Sequence, residues 1–555
     1  MTNPYDVERS FPDYFLEHRE LTIERQGTYR CGEHPIWTVH HPLGLLGNAI
    51  IIEGESGLIV YDTGCNLDAG AKIAEEIRAI SPKPVRAVFY SHHHADHFNG
   101  TSAFVDPAAV AAGQVAIYAW ENFSAEKENE FGDLVARQSM GLGYYGGAFL
   151  APEDQHHHGI GLLPTGGASG YLPATHVLSE DQTLVIEGVE IRVFYTGGEA
   201  ISEFGLHLPA FDCIAIADEF FTGLANLHTI RGSKPRVPDN YLAALQRVLD
   251  IGPEWLVGSH IEPIQGRDLI AARVTRYRDA IKYLWDQTVR LINKGYTPTE
   301  LQHALKDLPE EVVDPPYTVP LYGTPSTMVP EFFTGWVSWF SGDSTELFPS
   351  APGIKEARLT ELMGGVDRVL DAAKSDHAAG EHQLAAELAQ IALRADPENQ
   401  DAKLVKAAAL RARGYQEINP IARSWYLTGA LELEGRIDPG LILRAYGSVL
   451  DLERTVTQIV AGWRYLLDAD AAKDVRLAAG IVAADTGEET TVRIRNRVLE
   501  TTGGIDDDVT VVVRLTHEQA RGDGTPVVLA GDPDTWAQVQ GLLDRGLEPF
   551  YMHMR

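Results

Sequence analysis

Cysteine is scarce in this sequence, which contains only Cys31, Cys65 and Cys213 among its 555 residues. The three cysteines are widely spaced and form no C-x-x-C pair. A disulfide framework is therefore excluded, and this usage is typical of a reducing compartment or of buried thiols.

Long apolar runs are also missing. No segment approaches the roughly 18 consecutive apolar residues of a transmembrane helix. Residues Met1 to Arg9 are polar and contain no apolar run of signal-peptide length. The sequence therefore predicts no integral membrane association, and we expect a cytoplasmic protein.

Positive charge is the third deficit. Lysine and arginine number 46 against 78 aspartates and glutamates, which gives a formal net charge of −32. A nucleic-acid partner would need a basic face, so this balance argues against one. The same charge repels anionic substrates at long range. A sulfate or phosphate ester must therefore be captured locally, by arginines and metal ions.

Apolar residues are present in the proportion of an ordinary globular protein, at 44% of the sequence. The length predicts about three or four domains. Short β-rich runs separated by glycine-rich turns fill residues 34–64, and Asp68–Ile80 has the apolar spacing of a helix. Helical patterns dominate from about 270 to 435, and alternating patterns that favour strands return after about 440.

The most informative stretch is Ser91–His97, which reads Ser-His-His-His-Ala-Asp-His. The preceding Val88, Phe89 and Tyr90 favour a short buried strand, which would deliver the histidines to its C-terminal end. In the spacing H-x-H-x-D-H, the alternate-residue histidine pair can point both imidazoles at one ion, and the Asp-His pair can face a second. A solvated polar loop is the competing interpretation.

Other motifs agree with this one, and together they resemble the metallo-β-lactamase superfamily. Leu58–Gly64 ends in Asp-Thr-Gly, whose aspartate, Asp62, supports the metal histidines in that superfamily. Tyr195–Glu199 carries Glu199 where those enzymes usually have a histidine. A glutamate at this position is typical of one branch of the superfamily, the alkyl sulfatases. That branch is also matched by Asn226-Leu227, Thr229–Gly232, Gly258–His260, Trp285–Thr288 and Asn293–Tyr296. The sequence is therefore identified, over most of its length, as similar to the alkyl sulfatases.

The resemblance implies an α+β multidomain protein with a metallo-β-lactamase αββα sandwich, an all-α dimerisation domain and a C-terminal α+β sterol-carrier-like domain. We expect an N-terminal arm at 1–30, the catalytic domain at 31–285, the dimerisation domain at 286–437 and the last domain at 438–555. Two simpler alternatives stay open. The helical region could merely cap the metal domain, and the last domain could be an inert cap rather than an apolar groove for an alkyl chain.

Two stretches between the motifs carry predictions of their own. Ala136–Gly147 is predicted to be a substrate-facing loop, since long insertions without a core of their own tend to be functional. His156–His158 has the composition of a second metal cluster. Three consecutive side chains cannot point the same way on a strand or helix, so we predict an exposed loop without metal there.

The resemblance further implies two zinc ions per chain. The expected ligands are His92, His94 and Glu199 for the first ion, and Asp96, His97 and His260 for the second. Asp218 could bridge both ions and is also a catalytic candidate, because a hydroxide shared by two metals is a nucleophile near neutral pH. The family normally has glutamate at the bridging position, so the adjacent Glu219 is the alternative. Glu203 similarly competes with Glu199.

Substrate-binding residues are also implied. The oxygens of a sulfate ester match the fork of a guanidinium group. Arg231 matches the arginine that holds sulfate in the family, Asn226 matches its amide partner, and Tyr145 could contribute a hydroxyl. Arg236 could help or could be a surface charge.

One departure from the family concerns the proton donor. Relatives show His-Asn-Leu where this chain has Ala225-Asn226-Leu227. The change removes a histidine that could protonate the leaving alkoxide, and His228 is the expected catalytic substitute.

These features predict a zinc-dependent homodimer that hydrolyses alkyl sulfate esters to an alcohol and inorganic sulfate through a metal-activated water. A second hypothesis is another binuclear hydrolase of this fold, acting on a phosphoester, thioester or lactone without dependence on Arg231. A third is a non-enzymatic dimeric lipid-binding protein with a relic metal site. The number of ligand-competent residues in the expected order argues against the third.

Overall fold

A computed structural model describes residues 3–17, 26–132, 134–155, 160–164, 166–450, 454–546 and 550–553. The chain forms two compact units, residues 1–450 with 550–555 and residues 451–549. The predicted loop at His156–His158 lies outside the described residues except for its flanks. No helix in the described part of the chain has both the length and the apolar character needed to cross a membrane.

The first unit contains two β-sheets. The first sheet has seven strands whose order in space is their order in sequence. Its strands are β1 Gly27–Arg30, β2 Ile36–His40, β3 Ala49–Glu53, β4 Leu58–Tyr61, β5 Val85–Phe89, β6 Ala116–Trp120 and β7 His176–Leu178. Strands β1 to β4 pair antiparallel, and β4 to β7 pair parallel. The predicted strand before the histidine motif is therefore present and ends at Phe89.

The second sheet has six strands, in the order β13-β12-β11-β10-β9-β8. They are β8 Gln182–Ile186, β9 Val189–Tyr195, β10 Phe204–Leu208, β11 Cys213–Ala215, β12 Trp255–Gly258 and β13 Ile261–Gln265. Only the β11–β12 pair is parallel. The inner faces of the two sheets share one apolar core, which includes Ile50, Ile59, Phe89, Val193, Leu206 and Val257.

Helices cover the outer faces of both sheets, because parallel strands require long crossover connections. In the first half of the chain they are α1 Asp13–Glu17, α2 Leu67–Ile80, α3 Pro107–Ala111, α4 Phe123–Lys127, α5 Val135–Gly146 and α6 Pro238–Ile251. Ile73 and Ile77 of α2 pack on Val39, Ile51 and Val60 of the first sheet. This arrangement of helix, two sheets and helix confirms the predicted αββα sandwich.

The predicted loop at Ala136–Gly147 is wrong, because these residues belong to helix α5. The glycines that favoured a loop instead allow close packing. A Cβ on Gly141 would lie 2.6 Å from the backbone oxygen of Arg231, and one on Gly143 would lie 2.4 Å from the side chain of Ile442. Glycine is required where two backbones approach this closely, and tertiary contacts outweigh its low helix propensity.

The remainder of the first unit is helical. Its helices are α7 Arg267–Ile292, α8 Pro298–Ala304, α9 Pro325–Trp336, α10 Ile354–Leu362, α11 Val366–Ala378, α12 His382–Ala395, α13 Gln400–Gln416, α14 Pro420–Leu433 and α15 Pro439–Leu450. The helical character predicted for this region is confirmed. Helix α7 runs unbroken through residues 285 and 286, where we placed a domain boundary, so the catalytic and helical regions share one element.

The second unit is built on a five-stranded sheet in the order β16-β15-β14-β17-β18. Its strands are β14 Leu477–Ala483, β15 Glu489–Arg495, β16 Val498–Gly503, β17 Val511–Leu515 and β18 Val527–Gly531, and its helices are α16 Val456–Gly462, α17 His517–Arg521 and α18 Pro533–Gly541. The predicted α+β class is confirmed. One cavity in this unit is lined by Ala461 and Gly503, by Glu488 and Glu489, and by four threonines; the apolar groove for an alkyl chain stays a prediction.

After the second unit, the chain returns to the first. The backbone N–H groups of Met552 and His553 donate to the carboxylate of Glu432, at 3.0 and 2.7 Å. The Nζ of Lys406 donates to the carbonyl oxygen of His553 at 2.8 Å. The ring of His553 stacks on Tyr144 of α5. Residues 550–553 are thus an integral part of the first unit.

Candidate metal centre and substrate cavity

The predicted ligands lie at one edge of the sandwich, just beyond the ends of several strands. Asp62 follows β4, the histidine motif follows β5, Glu199 follows β9, Asp218 follows β11 and His260 follows β12. Strands end side by side in a sheet, so residues distant in sequence converge there. All of the predicted ligands except Asp96 have almost no solvent exposure.

The first ligand set centres on His92 and His94. The Nε2 of His92 lies 2.8 Å from the Nδ1 of His94 and 3.8 Å from Oδ2 of Asp218. These three residues form a group able to hold one ion.

The second set comprises Asp96, His97 and His260, and it also could hold one ion. Oδ2 of Asp96 lies 3.1 Å from Nε2 of His97 and 3.4 Å from Nε2 of His260. Oδ2 of Asp218 lies 3.5 Å from the first of these nitrogens and 3.2 Å from the second. One oxygen of Asp218 therefore stands between both sets, where a bridging ligand is required.

The chain itself fixes which ring nitrogen each histidine presents to the centre. Oδ2 of Asp62 lies 2.8 Å from Nδ1 of His97 and also accepts the hydroxyl proton of Ser91. Because the hydroxyl proton of Ser91 is donated to Asp62, the Ser91 oxygen can only accept a hydrogen bond from Nδ1 of His92, at 3.0 Å. Nδ1 of His260 donates to the carbonyl oxygen of Ile160 at 2.8 Å. The Nε2 lone pairs of these three histidines thus remain for a metal.

The donor set fits zinc. Nε2 of His97 and Oδ1 of Asp218 are buried and have no hydrogen-bond partner within the described chain. Leaving buried polar atoms unsatisfied is costly, so their convergence favours a cation-binding role for this site. Imidazole and carboxylate ligands in sets of three or four are those that zinc prefers.

The electrostatics of the centre also favour cations. Burial, reinforced by His97, lowers the pKa of His92 well below its usual range, so this ring is a neutral ligand. Although burial opposes the shift, neighbouring His260 and His97 hold the pKa of Asp218 well below its usual range. Burial alone would lower the pKa of His260, but the neighbouring Asp218 raises it to about 9. Metal binding must therefore release protons from this centre.

Glu199 lies beside the first set but already has partners within the chain. Its Oε1 is 4.0 Å from Nδ1 of His94 and accepts from the hydroxyl of Tyr322 at 3.1 Å. Its Oε2 accepts from Arg236 and from Tyr241. Arg236 is therefore buried inside the site and is not a surface charge. The metal-ligand role of Glu199 stays a prediction.

Glu203 and Glu219, the alternatives to Glu199 and Asp218, have other positions. The carboxylate of Glu203 accepts from the backbone N–H of Asp218 at 2.7 Å and of Glu199 at 3.1 Å, so it ties the two ligand loops together. The carboxylate of Glu219 accepts from the backbone N–H of Gly198 at 2.8 Å. It is Asp218 rather than Glu219 that faces the histidines.

The predicted substrate residues lie around one cavity next to the metal centre. Arg231 and Tyr145 line it together with the predicted metal ligands His94, Asp218 and His260. An apolar wall completes the cavity, formed by Leu46, Leu142, Ile160, Leu163 and Pro164. Asn226 is buried behind this wall with its Nδ2 donating to Tyr145 at 3.5 Å. The structure thus brings an arginine, two sets of metal ligands and an apolar surface to one space.

His228 has a different position. It is not among the residues that line this cavity, and its Nε2 lies 3.5 Å from the carboxylate of Glu331 on α9. Burial, reinforced by Arg236, lowers the pKa of His228 to about 4, so at neutral pH the ring is neutral and lacks the acidic proton of an imidazolium. These contacts do not favour the predicted role in protonating the leaving group, which stays a prediction.

Three residues of the site were not found from the sequence. Tyr241 and Tyr322 hold Glu199, and Glu130 accepts from Nη1 of Arg231 at 3.0 Å while its other oxygen lies 3.2 Å from Nε2 of His93. None belongs to a motif with fixed spacing, because each reaches the site through tertiary packing.

Comparison with known proteins gives one consistent result. The sequence model described as metallo-beta-lactamase superfamily matches residues 43–260, and the one described as alkyl sulfatase dimerisation matches residues 297–436. A linear primary-alkylsulfatase from a Pseudomonas strain is 36% identical over 482 residues, which cover 84% of this chain and 90% of that protein. An (R)-specific secondary-alkylsulfatase from Pseudomonas sp. is 30% identical over 483 residues, covering 84% of this chain and 72% of that one.

A solved structure extends the similarity to the fold of nearly the whole chain. The stereoselective inverting sec-alkylsulfatase Pisa1 from Pseudomonas sp. superimposes with a TM-score of 0.86 at 26% identity. The match covers 95% of this chain and 86% of that chain.

Proposed function

The chain belongs to the alkyl sulfatase family of the metallo-β-lactamase superfamily, and we propose that it hydrolyses alkyl sulfate esters to an alcohol and inorganic sulfate with two zinc ions. The observation that carries this proposal is the composition of a single cavity. Its lining combines Arg231 and predicted metal ligands with the apolar side chains of Leu46, Leu142 and Leu163. Such a cavity suits a molecule with an anionic head and an alkyl chain.

The two zinc ions would be held by the two ligand sets, with Asp218 between them. Zinc bound to such ligands activates water as a nucleophile near neutral pH and acts as a Lewis acid toward the ester. The chain fixes this chemistry through Asp62, which orients His97 directly and His92 through Ser91.

Arg231 would bind the sulfate oxygens, because its guanidinium group lines the cavity and is almost fully buried. A planar fork in a site of low exposure selects the geometry of a sulfate as well as its charge. Tyr145 stands next to it, with its hydroxyl held by Asn226. Burial raises the pKa of Tyr145 to about 12, so its phenol stays protonated and can donate a hydrogen bond to the substrate.

The apolar wall would hold the alkyl chain and exclude water. Leu142 and Tyr145 come from α5, whereas Ile160 and Leu163 come from a separate loop. Apolar surface removed from water contributes roughly 25 cal/mol per Å² to binding.

Assembly and location form part of the proposal. A dimerisation region is present at residues 297–436, and we propose that two copies of the chain associate through it. The cysteines Cys31, Cys65 and Cys213 are all free and buried, which supports the proposed cytoplasmic location.

The proposal is tested by assaying the purified, zinc-loaded protein against alkyl sulfates of graded chain length, with bound metal counted in parallel. We expect release of inorganic sulfate from at least one chain length and two zinc ions per chain. Phosphoesters, thioesters and lactones of matched size serve as competing substrates. Faster turnover of any of these than of every alkyl sulfate would contradict the proposed substrate class.

A further inference from the structure

A buried carboxylate stands behind the arginine that faces the cavity. Glu130 precedes α5 and is 8% exposed. Its Oε1 accepts from Nη1 of Arg231 at 3.0 Å, and its Oε2 lies 3.2 Å from Nε2 of His93. His93 is held in turn by Ser202, whose hydroxyl oxygen lies 2.8 Å from Nδ1. The acid is therefore fixed in place from two sides.

This carboxylate does not line the cavity, whereas Arg231 does. Arg231 and Glu130 form a buried ion pair, with Nη1 3.0 Å from Oε1 and less than a tenth of either side chain exposed. The second arginine of the site, Arg236, lies against the carboxylate of Glu199. The positive charge of Arg231 is compensated within the chain by Glu130.

This charge balance matters because the ligands of the reaction differ in charge. An alkyl sulfate carries one negative charge, whereas inorganic sulfate and a fully ionised phosphate monoester carry two. An uncompensated arginine beside two metal ions would favour the doubly charged ligands. The product would then be retained, and phosphate esters would compete.

We propose that Glu130 sets the charge selectivity of the site: by neutralising Arg231 from behind, it favours singly charged sulfate esters over doubly charged anions. The inference rests on the proposed function. Arg231 still supplies shape and hydrogen bonds to the ester, while Glu130 removes the excess attraction for a second negative charge. The same effect assists release of inorganic sulfate after hydrolysis.

The size of the effect follows from geometry. A sulfate hydrogen-bonded to the guanidinium group of Arg231 from the cavity would lie roughly 6–8 Å from the carboxylate of Glu130. At an effective dielectric constant of about 20, removing one charge at that distance changes the relative affinity for doubly and singly charged ligands by roughly 30- to 100-fold.

The experiment compares two ligands that the protein does not hydrolyse, an alkanesulfonate and an alkylphosphonate of the same chain length. Binding to the zinc-loaded protein is measured by calorimetry at a pH at which the phosphonate carries two charges. In Glu130→Gln, we expect the affinity for the phosphonate relative to the sulfonate to rise by roughly 30- to 100-fold. Glu130→Asp should retain the wild-type ratio, because it keeps the charge.

The matched control is Glu126→Gln. Glu126 belongs to the neighbouring helix α4 and pairs with exposed Lys234, at 2.5 Å between Oε2 and Nζ. The substitution removes the same charge from the same region without touching Arg231, so the ratio should not change. An equal shift of the affinity ratio in Glu130→Gln and Glu126→Gln would mean that only the net charge of the region matters, and it would overturn the proposal.

An unchanged ratio in folded Glu130→Gln with normal metal content would also overturn it. If this variant does not fold, Arg231→Gln is compared with the double variant Arg231→Gln/Glu130→Gln. Equal ratios of phosphonate to sulfonate affinity in these two variants would be decisive against the role of Glu130. Binding is measured without turnover. Absence of alkyl sulfate hydrolysis by the wild-type protein would contradict the proposed function separately.

Discussion

At Arg231, charge and shape can be separated by one substitution. Arg231→Lys keeps the positive charge but loses the bidentate fork. A charge-assisted pair in a buried site contributes on the order of 2–4 kcal/mol, so kcat/KM for alkyl sulfates should fall about 30- to 1,000-fold. Metal content should not change, because Arg231 lies in neither ligand set.

The control for this variant is Arg192→Lys, since Arg192 lies on β9 with its side chain exposed and paired with Glu190. It should retain full activity. Turnover within threefold of wild type in Arg231→Lys would remove that residue from the site, and with it the main reason for choosing sulfate.

A second residue-scale prediction concerns stoichiometry. His94→Ala removes a ligand from the first set while leaving Asp96, His97 and His260 in place. We expect bound zinc to fall from two ions to one per chain and hydrolysis to be lost together with it, as measured by elemental analysis and assay. His207→Ala, at a half-buried position on β10, should change neither. One zinc ion per fully active wild-type chain would contradict the two-metal proposal.

The sequence predicted those residues whose spacing is local. The H-x-H-x-D-H motif places four ligands within six positions, and the structure indeed brings them to one centre. Glu130, Tyr241 and Tyr322 could not be predicted in this way, because each is a common residue that reaches the site only through the packing of its own helix or loop. The burial of Arg236 beside Glu199 could not be predicted either, since burial is a property of the fold.

At the scale of elements, the principal error concerned α5. Its three glycines favour a loop by intrinsic propensity. The structure shows instead that they allow close packing, and that Gly141 lets the helix approach the loop that carries Arg231. Gln138 reinforces this contact by donating from Nε2 to the carbonyl oxygen of Gly232 at 3.1 Å. A packing requirement of this kind is not visible in a single sequence.

That contact leads to a prediction for Gly141→Ala. The added Cβ would lie 2.6 Å from the backbone oxygen of Arg231, so helix and loop must separate. Such overpacking costs about 1–3 kcal/mol, and displacement of Arg231 should lower kcat/KM for alkyl sulfates at least tenfold with normal zinc content. Thermal unfolding and metal analysis distinguish this outcome from general loss of structure.

Gly462→Ala is the matched control. A Cβ on this helical glycine meets no atom within 4 Å, so the change should preserve activity and stabilise α16 by up to about 1 kcal/mol. Equal activity of the two alanine variants would show that α5 does not position Arg231.

At the scale of the whole molecule, the sequence predicted the classes of the domains better than their limits. The sandwich and the helical region follow from hydrophobic periodicity, which is strong in long segments. The boundary at 285/286 falls inside α7 because a continuous helix leaves no composition change to detect.

Assembly supplies the prediction at this scale. Within the region that matches the dimerisation family, several large apolar side chains are exposed in the single chain, including Trp339 at 64%, Phe348 at 93% and Leu362 at 67%. If a second copy covers them, Phe348→Asp should convert a dimer into a monomer at micromolar concentration, as measured by light scattering.

Val185→Asp is the control, because Val185 on β8 is 72% exposed outside that region. It should leave the dimer intact. A monomeric wild-type protein at the same concentration would contradict the proposed homodimer.

The return of residues 550–553 to the first unit bears on how the chain is synthesised. Glu432 is fully buried, and two of its hydrogen-bond donors, the N–H groups of Met552 and His553, leave the ribosome only after the whole second unit. The second unit is therefore an insertion into the first rather than an appendage to it. A nascent chain stalled before residue 550 would hold a complete second unit together with a first unit whose buried carboxylate still lacks those donors.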